Sequence, residues 1–340
     1  MPTDQLTAQT MSALVMTEIG KLELRSFPLP ALKRPDDVLI EVRAAGVCGS
    51  DLHGYTGASG RRTPPLIMGH EATGRVAAVG SGVTEPGVGT RVALMPLEVR
   101  DGKRRLMGMD APGAYATHVV WPADRLFPLP EGLSDDAGAF AEPLAVALHA
   151  FGVSRGLAPS YGTAFVAGAG TIGLLIASVL LSSGVETVIV SDLSDPRLAV
   201  AEAVGASAVL NPAREDVRAR VHALTGGRGV DVAFEAVGVS ATVGQTLAVV
   251  RDGGVVVWVG NNQRVIALDM QAVVTRELSI LGSYGLGDAD FAEALVWLAA
   301  GRVPTETLTS RRVPLAKSAG LFDELLASPE TIKCLIQPGG

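Results

Sequence analysis

The chain has 340 residues, 48% of them hydrophobic, and a formal net charge of −7. This length is typical of about two domains, and the apolar content is enough to build a substantial core. An acidic balance of this kind is not typical of a nucleic-acid-binding surface, so we expect neither DNA nor RNA as a partner.

The sequence lacks the usual signals for membranes and secretion. No uninterrupted apolar run reaches the ~18 residues that a membrane-spanning helix needs, so no membrane partner is expected. The first residues, MPTDQLTAQTM, have neither the basic nor the apolar region of a secretory signal. The two cysteines, Cys48 and Cys334, do not make a disulfide framework, so we expect a cytoplasmic protein.

The first part of the chain, up to about residue 150, predicts short strands separated by Gly and Pro. Examples of these strands are DVLIEVRAAG, ATGRVAAVGSGV, GTRVALMP and AYATHVVWP. The basic cluster RDGKRR at 100–105 lies among them and is interpreted as a solvated loop. The pattern therefore predicts a β-rich domain.

From about residue 162 apolar strands alternate with helices, which predicts an α/β domain with a doubly wound parallel sheet. The strands are TAFVAG, TVIVSD, VDVAFEAVG, GVVVWVG and ELSILGSYG. The segment DPRLAVAEAVGA is typical of a helix that begins at Asp195, has Pro196 in its first turn and ends at Gly205. An amphipathic helix, DADFAEALVWLAAG, precedes the last strands, which end in TIKCLIQP. We predict a discontinuous β-rich domain from residues 1–151 and 286–340, with the α/β domain, 152–285, inserted.

The segment GAGTIG carries the glycine pattern of a dinucleotide-binding turn, because it follows a strand and opens a helix. Gly168 permits the tight turn, Gly170 lets the backbone approach a pyrophosphate, and Gly173 lets the helix pack on the strand. A plain strand–turn–helix without a ligand is the alternative. The predicted cofactor contacts also include Thr171, Ile172, Val237 and Gly238.

The second strand of the α/β domain ends in Asp192, whose carboxylate can accept hydrogen bonds from the adenosine ribose. The same charge would repel a 2′-phosphate, so we expect NAD as the cofactor rather than NADP. Arg197 lies five residues further on and is the competing signal, because an arginine can accept that phosphate. We expect Arg197 to lie over the adenine or in solvent.

Cys48, His70, Glu71 and Glu142 are the side-chain types that bind zinc, although they are scattered along the chain. Scattered ligands cannot be identified by spacing alone. Cys48 is equally typical of a small buried hydrophobe, His70 of a core histidine and Glu142 of an acid in the first turn of a helix.

Three segments give the chain a family resemblance: GVCGSDLHGY, GHEATGRVAAVGSGV and EPLAV. Together they resemble the zinc-dependent medium-chain alcohol dehydrogenases, and in particular the polyol branch with the sorbitol and butanediol dehydrogenases. The resemblance spans essentially the whole chain. It implies a GroES-like catalytic domain built from both chain ends, a Rossmann domain between them, and a cleft where zinc and NAD meet.

The resemblance implies that Cys48 and His70 are zinc ligands and that either Glu71 or Glu142 is the third. We expect one glutamate at a time, because a third anion would make the zinc site net negative and a weaker Lewis acid. Zinc can lower the pKa of a bound hydroxyl towards ~7, as it does for water.

The resemblance also places a proton relay at Ser50 and His53. Ser50 would take the alcohol proton and pass it through the nicotinamide ribose to His53, since histidine exchanges protons near neutral pH. Asp51 is expected to hold the loop. Tyr55 is expected either in the substrate pocket or in the core.

The chain departs from the family in two segments. Many relatives carry four cysteines near residues 95–115, where this chain has MPLEVRDGKRRLMGMDAPG, so we expect one catalytic zinc per subunit and no structural zinc. Sorbitol dehydrogenases typically have an arginine shortly after the glycine of ILGSYG, whereas Ser283, Tyr284 and Gly285 follow Gly282 here. This difference weakens the case for sorbitol as the substrate.

The predicted protein is therefore a zinc- and NAD-dependent oxidoreductase that interconverts a secondary alcohol, diol or polyol and its ketone. The alternatives are an amino-alcohol dehydrogenase of the L-threonine type and a non-catalytic structural or dinucleotide-sensing protein of the same fold. The apolar strands GVVVWVG and ELSILGSYG lie where the family pairs subunits, so we expect a homo-oligomer, a tetramer rather than a dimer.

Overall fold

The structure, a computed structural model, describes residues 10–157 and 161–339. Residues 1–9, most of the polar N-terminal segment, lie outside the described residues, as do 158–160 and 340. The chain divides into two compact units, Met1–Glu142 with Thr309–Gly340, and Pro143–Leu308.

The first unit is β-rich, as the sequence predicts. Its strands are β1 (Thr10–Glu18), β2 (Lys21–Pro28), β3 (Asp37–Gly46), β4 (Leu66–Ile67), β5 (Glu71–Val79), β6 (Arg91–Leu94), β7 (Leu97–Arg100), β8 (Lys103–Leu106), β9 (His118–Pro122), β10 (Leu126–Pro128), β17 (Thr309–Pro314) and β18 (Lys333–Gln337). Its helices are α1 (Gly49–Tyr55), α2 (Asp135–Gly138), the first residues of α3 (Ala141–Arg155), and α11 (Leu321–Ala327).

The largest sheet of this unit joins strands from both ends of the chain. Its order is β10-β6-β5-β3-β18-β17, with β9 also paired to β3. A three-stranded sheet, β2-β1-β4, and the β7–β8 hairpin lie outside it. The central strand β3 coincides with the predicted run DVLIEVRAAG and is almost wholly buried. Its carboxyl end at Gly46 leads directly into Val47 and Cys48.

The second unit is an α/β domain. Its strands are β11 (Thr163–Ala167), β12 (Thr187–Ser191), β13 (Ala208–Leu210), β14 (Val230–Glu235), β15 (Val250–Trp258) and β16 (Ser279–Gly282). Its helices are the rest of α3, α4 (Thr171–Ser182), α5 (Asp195–Val204), α6 (Val217–Leu224), α7 (Ser240–Val249), α8 (Met270–Thr275), α9 (Asp288–Ala299) and α10 (Thr305–Leu308).

All six strands of this sheet are parallel, in the order β13-β12-β11-β14-β15-β16. The predicted helix α5 ends as expected, because Gly205 adopts a left-handed φ of 107° at its carboxyl end. Its amino end is capped by Ser194, one residue before the predicted start. The fold class predicted from the sequence is confirmed.

The boundaries between the units differ from the predicted ones at 151/152 and 285/286. The second unit extends from Pro143 to Leu308 because it includes most of α3 and all of α9. His149 of α3 and Asp290 of α9 are joined by a 3.0 Å contact between Nδ1 and Oδ2. Phe291 of α9 is 1% exposed, so the amphipathic helix is packed within this unit.

One helical stretch in the described residues, Asp135–Arg155, has the length and composition of a membrane span. Its apolar window is 61% buried inside the protein, as in the core helix of a globular domain. It is therefore weak evidence for a membrane segment.

Candidate metal site and glycine-rich turn

The four predicted metal ligands all lie in the first unit, at the ends of secondary-structure elements. Cys48 immediately precedes α1, and His70 and Glu71 lie at the amino end of β5. Glu142 is the second residue of α3. Strand β3 pairs with β5 so that Gly46 lies opposite Glu71, which brings the segment before Cys48 next to the His70–Glu71 pair.

Three of these four residues form a group that could hold a metal ion. One ligand atom from each of Cys48, His70 and Glu71 lies within 4.8 Å of the others, and His70 and Glu71 are buried. A thiolate, an imidazole and a carboxylate form a donor set suited to zinc. The described residues therefore fit the predicted metal, and the structure brings Cys48 and His70 together with Glu71.

Glu142 is buried but does not belong to that group of three. Burial raises the pKa of Glu142 to about 7, an effect that His70 opposes and Glu71 reinforces. Both of these residues, His70 and Glu71, belong to the group of three.

Asp51 lies next to the Nδ1 side of the His70 ring and is fully buried. Its Oδ1 is 3.5 Å from His70 Nδ1, and its Oδ2 accepts a 2.7 Å hydrogen bond from the hydroxyl of Tyr115. Burial alone would raise the pKa of Asp51, but His70, Arg62 and Tyr115 hold it well below its usual range. Nδ1 of His70 faces this carboxylate at a distance too long for a normal hydrogen bond, and Nε2 lies on the opposite side of the ring.

Lys333 is a charged residue of this site that the sequence interpretation missed. Its Nζ is 2.6 Å from Glu71 Oε2 and also donates to Val47 O at 3.2 Å. Both side chains of the Lys333–Glu71 pair are 1% exposed. A lysine inside the otherwise apolar strand TIKCLIQP was the available signal, because lysine is rarely buried unless it is paired.

The predicted relay residues share one face of α1, because Ser50 and His53 are three residues apart in that helix. Ser50 is exposed and His53 is half-buried. Tyr55, at the end of α1, is a core residue. Its hydroxyl oxygen lies 2.7 Å from Gly20 O and 2.8 Å from Asp323 Oδ1, the two acceptors available to its single proton.

The segment MPLEVRDGKRRLMGMDAPG, which has no cysteines, contains a cluster of ion pairs. Glu98, 3% exposed, lies in the β7–β8 hairpin. Its carboxylate is 2.8 Å from Arg100 Nε, 2.9 Å from Arg105 Nη1 and 3.4 Å from Arg34 Nη1. Part of the predicted solvated basic loop is therefore a strand pair whose arginines surround one buried acid.

The glycine-rich turn lies in the second unit between β11 and α4, as predicted. Gly168 has φ of 102°, in the left-handed region. A Cβ at Gly173 would lie 1.8 Å from Gly168 O, so only glycine lets the helix approach the turn this closely. Gly170 precedes the first residues of the helix, Thr171 and Ile172.

Asp192 follows β12 and contacts the same turn. Its Oδ2 accepts a 2.7 Å hydrogen bond from Ala169 N, and its Oδ1 accepts one of 2.8 Å from Ser194 N. Each oxygen keeps a second lone pair for a further donor. A Cβ on Gly170 would lie 3.8 Å from Arg197 Nη1, so this guanidinium reaches the glycine turn rather than pointing into solvent.

Val237 and Gly238 follow β14, but their amide groups already have a partner. Glu235, which is fully buried, accepts Val237 N at 3.0 Å and Gly238 N at 2.8 Å. A Cβ at Gly168 would lie 2.6 Å from Val237 Cγ2, so the Val237 side chain lies against the glycine turn. The two residues are thus placed beside the turn, and Glu235 is a buried acid that the sequence interpretation missed.

Comparison with known proteins finds matches in both units of the chain. Residues 34–131 match the alcohol dehydrogenase GroES-like domain, and residues 171–300 match the zinc-binding dehydrogenase family. Sorbitol dehydrogenase of Bacillus subtilis (strain 168) is 32% identical over 349 residues, which cover 97% of this chain and 98% of that protein.

Two solved structures share the fold over nearly the whole chain. The 2R,3R-butanediol dehydrogenase from Bacillus subtilis has a TM-score of 0.89 at 29% identity, with 97% of this chain and 100% of that chain covered. A zinc-binding dehydrogenase from Sinorhizobium meliloti 1021, bound to NADP, has a TM-score of 0.88 at 30% identity, with the same coverage.

The two matched domains define a zinc-binding dehydrogenase with a GroES-like and a Rossmann domain. More narrowly, the chain belongs to the zinc-dependent medium-chain alcohol and polyol dehydrogenases. The predicted family is thus confirmed, and the protein is an oxidoreductase with zinc and a nicotinamide dinucleotide as its cofactors. The amino-alcohol and non-catalytic alternatives are not favoured.

Proposed function

We propose that the protein oxidises a secondary alcohol, diol or polyol to its ketone, reversibly, with NAD and one catalytic zinc per subunit. The observation that carries this proposal is the group of Cys48, His70 and Glu71. A thiolate, an imidazole and a carboxylate meet within 4.8 Å, two of the three residues are buried, and no cysteine quartet accompanies them. This donor set is typical of a catalytic zinc rather than a structural one.

Cys48 and His70 are proposed to hold the zinc, with Glu71 as the third ligand because it lies in the same group. Lys333 fixes one oxygen of Glu71, and Glu142, outside the group, is proposed as the alternative carboxylate. When bound, zinc supplies Lewis acidity that favours loss of the proton from a substrate hydroxyl, and the nicotinamide ring supplies the hydride acceptor.

Ser50 and His53 are proposed to conduct the substrate proton to solvent. The Ser50 hydroxyl follows Cys48 by two residues, and His53 lies on the same face of α1 one turn further on. A hydroxyl can accept one proton while it releases another, so Ser50 is suited to the inner position and the imidazole of His53 to the outer one.

NAD is the proposed cofactor. The turn at Gly168, Gly170 and Gly173, together with Asp192, supports a dinucleotide site at the start of α4. The Asp192 carboxylate disfavours a 2′-phosphate. Arg197 lies near enough to the turn to oppose that preference, which makes the ratio of NAD to NADP use a direct test of the Asp192 assignment.

The proposed assembly is a homo-oligomer that pairs through the β16 edge of the six-stranded sheet. Large apolar side chains are exposed in this part of the second unit, namely Val265 (85%), Met270 (70%), Val274 (63%) and Tyr284 (62%). An uncovered edge strand with apolar neighbours favours association. We propose a tetramer, by resemblance to the polyol branch, and a cytoplasmic location. Light scattering at micromolar concentration should give a dimer or tetramer, and a monomer would refute the assembly.

The experiment that tests the proposed activity is a screen of NAD reduction against secondary alcohols, vicinal diols, polyols, cyclitols and L-threonine, with Cys48→Ser as the control. Activity on diols or polyols that disappears in the control supports the proposal. Turnover of L-threonine alone, or of no alcohol by the zinc-loaded protein, would contradict it.

A further inference from the structure

Arg62 is a buried arginine with no role in the function proposed so far. It lies in the segment between α1 and β4, and its side chain is 4% exposed. Its Nη2 donates a 2.9 Å hydrogen bond to Oδ1 of Asp51, whose side chain is fully buried. A buried cation paired with a buried anion is weak evidence for a stabilising role, because the cost of removing both charges from water offsets most of their attraction.

The oxygen that Arg62 holds is the one that faces His70. Asp51 Oδ1 lies 2.9 Å from Arg62 Nη2 and 3.5 Å from His70 Nδ1, while Oδ2 is taken by Tyr115. Arg62 and Tyr115 therefore each donate a hydrogen bond to the Asp51 carboxylate. The imidazole ring of His70 lies on a third side of the same carboxylate. The orientation of a ligating histidine is set by the group that its other ring nitrogen faces.

Helix α1 leaves room for this arginine. A Cβ at Gly54 would lie 2.4 Å from Arg62 Cγ and 3.3 Å from its Nε. Any side chain at Gly54 would therefore displace the Arg62 stem. Since α1 begins directly after Cys48, Arg62 packs against the same short helix that adjoins the thiolate.

We propose that Arg62 is a positioning residue of the metal site, which holds Asp51 against His70 so that the imidazole keeps its ligating orientation. This inference rests on the proposed zinc site at Cys48 and His70. Arg62 acts through Asp51, the residue to which its Nη2 donates. Its planar guanidinium suits the task better than lysine, whose ammonium is a flexible point charge.

The test compares zinc affinity in Arg62→Met, Arg62→Lys and the control Arg61→Met, which removes an exposed arginine from the adjacent position. Zinc affinity is measured by competition with a chromogenic chelator on folded protein, and the visible spectrum of the cobalt-substituted protein reports the ligand geometry. Arg62→Met is expected to weaken zinc binding by about 10-fold, the lower end of the range found when a direct partner of a metal ligand is removed, because Arg62 acts one residue further out through Asp51. Arg62→Lys should recover part of this loss, and Arg61→Met should bind zinc as the parent does.

A second variant keeps the proposal testable if Arg62→Met does not fold. Gly54→Ala changes no charge and improves helix propensity, yet it should weaken zinc binding in the same direction because it displaces Arg62. A purely structural ion pair would lower the melting temperature of Arg62→Met while zinc affinity and the cobalt spectrum stay at parental values. That result overturns the inference.

Failure of this inference is distinguishable from failure of the proposed zinc site. If Cys48→Ser loses zinc while Arg62→Met and Gly54→Ala retain parental affinity, only the role of Arg62 is refuted. If Cys48→Ser also retains zinc, the metal lies elsewhere and both proposals fall.

Discussion

Replacing Lys333 by methionine should destabilise the protein more than any ordinary surface change. The Nζ–Oε2 distance to Glu71 is 2.6 Å, and both side chains are 1% exposed, so no solvent can replace the lost partner. Removing one member of a buried ion pair leaves an uncompensated charge and costs about 3–5 kcal/mol. For a domain of about 150–250 residues this corresponds to a melting temperature lower by roughly 6–20 °C.

The assay is thermal unfolding of the chelator-treated protein, so that zinc does not compensate the freed carboxylate of Glu71. Lys317→Met removes an exposed lysine and is the matched control, expected within about 0.5 kcal/mol of the parent. The double variant Glu71→Gln with Lys333→Met removes both charges and should recover much of the loss. A single variant that melts within 2 °C of the parent (roughly 1 kcal/mol or less), or a double variant no better than the single one, would refute the reasoning.

Three further predictions concern the relay, the cofactor and the charged hairpin. Ser50→Ala should lower turnover by orders of magnitude while zinc is retained. His53→Gln should lower turnover about ten-fold, and imidazole buffer should restore part of that loss. If Ser50→Ala turns over at the parental rate, and a deuterium isotope effect shows that hydride transfer is rate-limiting, the relay assignment is wrong. NAD should be preferred over NADP by ten-fold or more in kcat/KM, about 1.4 kcal/mol, and equal use would show that Asp192 does not govern the choice. Glu98→Gln should lower the free energy of unfolding by about 1–3 kcal/mol in urea, because three arginines lose a charged acceptor. A change below about 0.5 kcal/mol would mean that Asp36 and Asp37, which pair with Arg100 and Arg34, hold these arginines sufficiently.

The fold was predictable because its strands and helices have strong local signals. The run DVLIEVRAAG matches β3 residue for residue, and Gly205 ends α5 where the pattern placed its end. The domain boundary was less predictable. The amphipathic pattern of α9 shows that one face of the helix is buried but not which domain covers it, and its contact with α3 joins residues 141 positions apart.

The grouping of Cys48, His70 and Glu71 was predictable from the sequence, but the charged residues next to them were not. From the sequence, the charges of Cys48 and one glutamate are expected to balance that of Zn²⁺, with no third anion. Lys333 changes that count, because its ammonium offsets the charge of Glu71 within a buried ion pair. Lys333 lies 262 residues from Glu71 in the chain, and no periodicity connects positions so far apart.

The most direct test of the account is X-ray absorption at the zinc edge, with metal content, on the parent protein and Cys48→Ser. About one zinc per chain is expected, with a single sulfur near 2.3 Å and nitrogen or oxygen neighbours near 2.0–2.2 Å, the distances typical of zinc ligands. Zinc should be lost from Cys48→Ser. Two zincs per chain, a shell of several sulfurs, or full zinc retention in Cys48→Ser would contradict a single catalytic zinc held by Cys48, His70 and a glutamate.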